Sequence, residues 1–213
     1  WNTLSIIGLF FLLSIVVFLE VKNLSYKIND SLVIDNETFS LKRDKHLLIF
    51  GPSGCGKTTL MNLMSGLLKP SDGQIIFENQ NYANLSEEKL DSLRFKNFGF
   101  IFQKLHLISH LAVKKNIELA MNTPKNNNID RFLTTLGLKN IINKPAGNLS
   151  FGESQRVAII RGLINKPKVI FADEPTSALD DLNTKKVINL IFDLCRENSS
   201  TLVLSTHDSR IKK

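Results

Sequence analysis

His46-Leu-Leu-Ile-Phe50, Gly51-Pro-Ser-Gly-Cys-Gly56 and Lys57-Thr-Thr-Leu60 form one continuous stretch, and its reading decides the fold. The run Leu47 to Phe50 is wholly apolar, as expected of a fully buried parallel strand. From Thr59 to Leu68 the apolar residues Leu60, Leu63, Met64 and Leu67 recur at helical spacing. Between strand and helix, Gly51 to Thr58 fits G-x-x-x-x-G-K-[ST] without a gap, in the context that pattern requires. Glycines let backbone wrap closely around an anion. Successive N–H groups then face a β-phosphate, and the helix N-terminus adds partial positive charge. Lys57 supplies a mobile ammonium for β- and γ-phosphates, and Thr58 a hydroxyl for Mg²⁺. The expected cradle is Gly51, Pro52, Ser53, Gly54, Cys55, Gly56, Lys57, Thr58 and Thr59, with Cys55 a tolerated small residue. The bland alternative, a glycine turn between two elements, leaves the Lys-Thr pair unexplained.

Working outward, strands and helices alternate. Phe18 to Val21 and Ser25 to Ile28 read as short strands, and Ser31 to Leu41 as a half-exposed antiparallel partner. Gln74 to Glu78 and Phe98 to Phe102 follow as strands, with a helix from Ser86 to Arg94 between them. Leu111 to Met121 and Ile129 to Leu136 have helical patterns, and Ser150 opens a helix running to about Asn165. Val169 to Ala172 and Thr201 to Ser205 are apolar strands around the helix Asn183 to Glu197. This alternation predicts an α/β fold with a mainly parallel sheet and an antiparallel β element near the start. About residues 104–149 carry no strand pattern and read as a helical insert.

The 213 residues suit one domain, perhaps with a subdomain. Two Cys cannot make a disulfide scaffold, so a reducing setting is the default. The net charge of +7 is scattered, with no dense basic stripe, so no nucleic-acid partner is expected. Residues 1–17 form a hydrophobic segment without charge. Three readings stand side by side: a membrane anchor, the tail of an upstream membrane segment, or a stretch outside the native mature protein.

Two further runs carry chemistry. Val169-Ile-Phe-Ala-Asp173-Glu174-Pro175 ends a buried strand in two carboxylates, beside the glycine loop at the sheet's C-terminal edge. Asp173 suits Mg²⁺ and Glu174 suits a general base for water. Leu149-Ser-Phe-Gly-Glu-Ser-Gln-Arg156 opens a helix in which Ser150 and Glu153 spell a capping box. A capped helix start with a small residue at Gly152 is also an anion site.

With these in order, the chain resembles the ATPase subunit of an ABC (ATP-binding cassette) transporter, over about residues 18–210. The family signature L-S-G-G-Q/E matches Leu149-Ser-Phe-Gly-Glu153, Gln103 matches the Q-loop, Ser177-Ala-Leu-Asp180 the D-loop, and His207 the switch histidine. The resemblance implies a P-loop NTPase with a RecA-like sheet, spanning 18–213 with its helical subdomain at about 104–149. It implies ATP and Mg²⁺ as cofactors. Glu174, His207 and Gln103 would be catalytic, and Thr58, Gln103 and Asp173 would hold the metal. Tyr26 would stack on adenine, while Ser150, Gly152 and Glu153 would meet the nucleotide of a second ABC ATPase subunit, giving a homodimer. Integral membrane permease subunits would be the other partners, at the cytoplasmic face of the membrane. The stretches around Gln103 and Val113 look most similar to the lipoprotein-release, macrolide-export and cell-division group. A non-transport mechanical ATPase and a degenerate nucleotide-binding module are the alternatives. Phe151 and Ser154 depart from the signature, and the chain stops six residues past His207, where the family continues with further strands.

Overall fold

The computed structural model describes residues 17–43, 45–122, 128–177 and 179–208; the hydrophobic segment before Val17 lies outside them. Among the described residues no helix is long and apolar enough to cross a membrane.

Among the described residues eight strands make two sheets. The first is antiparallel, ordered β2-β1-β4-β5, from β1 (Val17–Ile28), β2 (Ser31–Lys42), β4 (Asp72–Phe77) and β5 (Gln80–Asn81). The second is parallel, ordered β3-β8-β7-β6, from β3 (Leu47–Phe50), β8 (Thr201–Thr206), β7 (Val169–Asp173) and β6 (Phe98–Ile101). The expected α/β architecture, with a parallel sheet and an N-terminal antiparallel element, is therefore present. The two short strands expected before residue 30 are one strand, interrupted in register between Val21 and Leu24. Asn23 turns there with φ 47°, and its N–H donates to Thr38 Oγ1 at 2.8 Å.

Side-chain alternation on β7 places the parallel sheet between two cores. Val169 and Phe171 face the first sheet and the helices α1 (Lys57–Met64) and α2 (Glu87–Asn97). Ile170 and Ala172 face α5 (Phe151–Leu163) and α6 (Asp181–Asn198). The first core is bridged by edge-to-face or tilted rings, Phe18 to Phe77 to Phe98 to Phe171, with centroids 5.0–5.3 Å apart. Cys195 lies in the second core, where burial pushes its thiol up to about 12 and leaves it inert.

One expectation is corrected. The strand before the glycine loop is not fully buried: Leu48 and Phe50 are 40% and 41% exposed. Among the described residues β3 pairs with β8 alone, so it forms the sheet's edge. Helix α1 also differs, starting at Lys57 and stopping at Met64 rather than reaching Leu68. Gly66, at φ 71°, turns the chain, and the N–H groups of Leu67 and Leu68 return to the Asn62 carbonyl.

Between β6 and α5 the described residues form helices α3 (Val113–Glu118) and α4 (Asn128–Thr135), two 3-10 turns and one isolated bridge, Ala112 to Pro145. Helix α3 stops short of Met121. The buried Asn116 amide donates to the carbonyls of Ile108, Leu111 and Ala112, tying the preceding loop to this short helix.

Helix α5 crosses β6 backbone on backbone. A Cβ on Gly99 would stand 1.9 Å from the Gly162 carbonyl oxygen, and one on Gly162 would stand 2.8 Å from that of Phe100. This pair of glycines sets how closely the Ser150 helix lies against the sheet.

Candidate active site

The glycine loop leaves β3 with the Gly51 N–H bonded to the Thr206 carbonyl at 3.3 Å. Gly54 and Gly56 take φ of 82° and 94°, a region costly for residues with a Cβ. Space at Gly56 is also tight: a Cβ would meet Ile34 Cδ1 and the Val33 carbonyl at 3.2 Å. The loop folds around the Lys57 ammonium, which donates to the Gly51 and Pro52 carbonyls, both at 2.9 Å. Pro52, Ser53, Gly54 and Cys55 are exposed, whereas Lys57 is 7% exposed.

Strand β7 ends opposite this loop. Thr58 Oγ1 donates to Asp173 Oδ2 at 2.8 Å, and Ser205 Oγ donates to Asp173 Oδ1. Glu174 takes φ 45° and its N–H bonds to the Ser205 carbonyl at 3.1 Å, so its side chain folds back over the sheet edge. There Glu174 Oε1 pairs with Lys57 Nζ at 3.2 Å, and Glu174 Oε2 meets His207 Nδ1 at 2.9 Å. Glu174 is 8% exposed, so this carboxylate is an organised, nearly dry group. The Lys57–Glu174 pair is buried, and removal of either charge leaves the other poorly compensated.

The structure thus brings together Lys57, Thr58, Asp173, Glu174 and His207. A cavity of about 100 Å³ joins Thr58 and Asp173 to the rings of Phe100 and Phe102. Gln103 follows Phe102, and its amide donates to Ser177 Oγ at 3.3 Å rather than to Thr58 or Asp173. The hydroxyl, carboxylate and amide oxygens of Thr58, Asp173 and Gln103 are hard donors suited to Mg²⁺, which takes few protein ligands beside phosphates. Tyr26 is half-buried in β1 opposite Ile34, the residue against which Gly56 packs.

Ser150, Gly152 and Glu153 stand apart from this cluster. Ser150 caps α5: its Oγ accepts from the Glu153 N–H at 3.2 Å, and its own N–H donates to Glu153 Oε2 at 2.8 Å. The Ser150 N–H, with Lys144 nearby, holds the Glu153 carboxyl below its ordinary range. A depressed native pKa stabilises the fold above the unfolded value and loses that contribution as pH falls. The melting deficit of Glu153→Ala is accordingly expected at neutral pH and should shrink below about pH 4. A deficit that stays constant across thermal melts at both pH values would contradict the capping role. Phe151, 48% exposed, projects beside Gly152, where an added Cβ would meet only Arg156 Nη1 at 3.6 Å.

Three contacts around the candidate site escape sequence reading. Ser205 reaches Asp173 only because β7 and β8 place these residues in register. Gln155, 3% exposed, donates to the Pro175 carbonyl at 2.5 Å, fastening α5 to the turn after Glu174. Arg161 grips the loop beyond Gln103. The Ser-Thr-His run at the end of β8 is the one local hint of the first.

A family model described as ABC transporter matches residues 34–177. The lipoprotein-releasing system ATP-binding protein LolD of Wigglesworthia glossinidia brevipalpis is 37% identical over 208 residues, covering 92% of this chain and 90% of LolD. The macrolide export ATP-binding/permease protein MacB of Photorhabdus laumondii is 40% identical over 185 residues; the match covers 84% of this chain but 28% of MacB. A bacterial ABC transporter cassette, solved as a dimer, superposes with a TM-score of 0.78 at 32% identity, over 90% of this chain and 88% of that one. The same cassette is known in a post-hydrolysis state bound to ADP and Pi. The chain belongs to the ABC transporter family, as one of its ATP-binding, ATP-hydrolysing cassettes.

Proposed function

We propose that two copies of this chain close head to tail around two ATP molecules, and that closure and reopening drive membrane permease subunits. The observation that carries this reading is a site in two halves. Lys57 Nζ, the phosphate-facing cation, lies 3.2 Å from Glu174, the candidate base. The Ser150 helix start, the candidate site for the γ-phosphate, spends its hydrogen bonds within its own first turn and faces outward. A second copy supplies the missing half to each.

Bound phosphates draw Lys57 from the Gly51 and Pro52 carbonyls. Thr58, Asp173 and Gln103 would hold Mg²⁺, which would supply charge to neutralise the phosphates. Glu174 then takes a proton from the attacking water, and His207 keeps that carboxylate oriented and reads the γ-phosphate. Tyr26 supports adenine. A groove of about 860 Å³ between α2 and α5 bears the exposed apolar residues Leu67, Phe95 and Leu119. It suits an apolar element of the permease and supports a peripheral position on the cytoplasmic membrane face. LolD-like and MacB-like relatives support assignment to the lipoprotein-release and macrolide-export group.

Turnover by the purified chain is expected to rise more than linearly with protein concentration. Lys57→Ala and Ser150→Arg chains should each be inactive, and their mixture should regain turnover, because each heterodimer holds one intact site. A mixture as inactive as its components, with both variants folded, would overturn the shared-site reading.

A further inference from the structure

Arg161 lies in the last turn of α5, six residues and roughly 9 Å beyond Gln155. Its guanidinium spans two successive carbonyls of the loop after Gln103: Nη2 donates to Leu105 O and Nη1 to His106 O, both at 2.6 Å. The loop needs such a hold. His106 adopts φ 48°, a left-handed conformation that costs a non-glycine residue of order 1 kcal/mol or more. The other side of the loop is fastened by rings: His106 and Phe102 meet at right angles with centroids 5.4 Å apart, Phe102 stacks on Phe100 at 5.4 Å, and Phe100 on Phe171 at 5.7 Å. Phe171 stands two residues before Asp173 on β7. The loop bearing Gln103 is thus pinned between the strand that carries the carboxylates and the helix that begins at Ser150.

We propose that Arg161 is a positioning residue for catalysis, its bidentate grip on Leu105 and His106 fixing the loop from which Gln103 would reach the metal and the attacking water. This rests on the reading of Gln103 given above. Arg161 touches neither the glycine loop nor the carboxylates, so ATP affinity should not depend on it. A planar fork is needed to satisfy two adjacent carbonyls together, and lysine offers one point charge. Two neighbouring clamps act elsewhere: Gln155 of α5 on Pro175, and Asn165, two residues past the end of α5, on the Ala120 carbonyl.

The test is a double-mutant cycle in Mg-ATP hydrolysis with Arg161→Lys and Gln103→Ala, read as kcat, KM for ATP and the Mg²⁺ concentration at half-maximal rate. Arg161→Lys is expected to lower kcat about 5- to 10-fold, raise the Mg²⁺ requirement several-fold and leave KM for ATP within about 2-fold; in the Gln103→Ala background it should add less than about 2-fold. Independent, multiplying effects, or an unchanged kcat in Arg161→Lys, would overturn the proposal. A Gln103→Ala chain with unaltered kcat and Mg²⁺ dependence would overturn the reading of Gln103 and the proposal with it. Arg161→Ala offers a second route, since Arg161 lines the open groove. Millimolar methylguanidinium should restore part of its kcat, and a folded variant that shows no rescue counts against positioning.

Discussion

Glu174→Gln should cut Mg-ATP turnover by at least about 100-fold, the scale of general base catalysis, while ATP still binds. Glutamine keeps the volume and can still bond His207, so the local fold is retained. What it loses is basicity. Asp173 cannot stand in, because Thr58 and Ser205 both donate to its carboxylate. His207 cannot either, since its Nδ1 is already turned toward Glu174. The substitution also frees Lys57 from its ionic partner at 3.2 Å. The ammonium keeps its two loop carbonyls and becomes easier for phosphates to withdraw, so ATP affinity should hold or rise. Steady-state hydrolysis and equilibrium binding of a fluorescent ATP analogue separate the two effects. Turnover within about 5-fold of the parent would move the base elsewhere.

Gly99→Ala should produce the largest loss of stability. One methyl group would be driven to 1.9 Å from the Gly162 carbonyl oxygen and to 2.8 Å from Pro167 Cγ. The first neighbour is helix backbone, which cannot rotate away as a side-chain tip could. Helix α5 would have to lift from β6, opening contacts of Ile101, Ile159 and Ile160, each at most 1% exposed. Overpacking against a rigid neighbour costs about 3 kcal/mol or more, a fall of roughly 6–12 °C in melting temperature for a chain of this size. Nucleotide affinity in the surviving folded fraction should change little, since the glycine loop belongs to the other core. A melting temperature within about 2 °C of the parent would show that α5 does not lie this close.

Much of this was legible in the chain itself. The glycine loop, the run from Val169 to Pro175 and the Ser150 capping box are local patterns: each depends on residues within about ten positions of one another, and backbone and capping physics reads them directly. The strand–helix alternation likewise fixed the α/β class, because burial on both faces requires apolar runs whatever they pair with. The exposure of Leu48 and Phe50 was not legible. An apolar run is the same at a sheet's edge as at its centre, and pairing alone distinguishes the two.

The tertiary structure decided what meets what. Asp173 to Thr58 spans 115 positions, Asp173 to Ser205 spans 32, and Arg161 to Leu105 spans 56. No local pattern carries such information, because register and helix packing are set by the whole core. The left-handed backbone of Glu174 belongs here too, since the residue before a proline ordinarily stays extended. The sequence by itself named the groups able to bind phosphate and activate water. Only the packed fold turned the Glu174 carboxylate onto Lys57 and His207, and left the start of the Ser150 helix exposed at the surface.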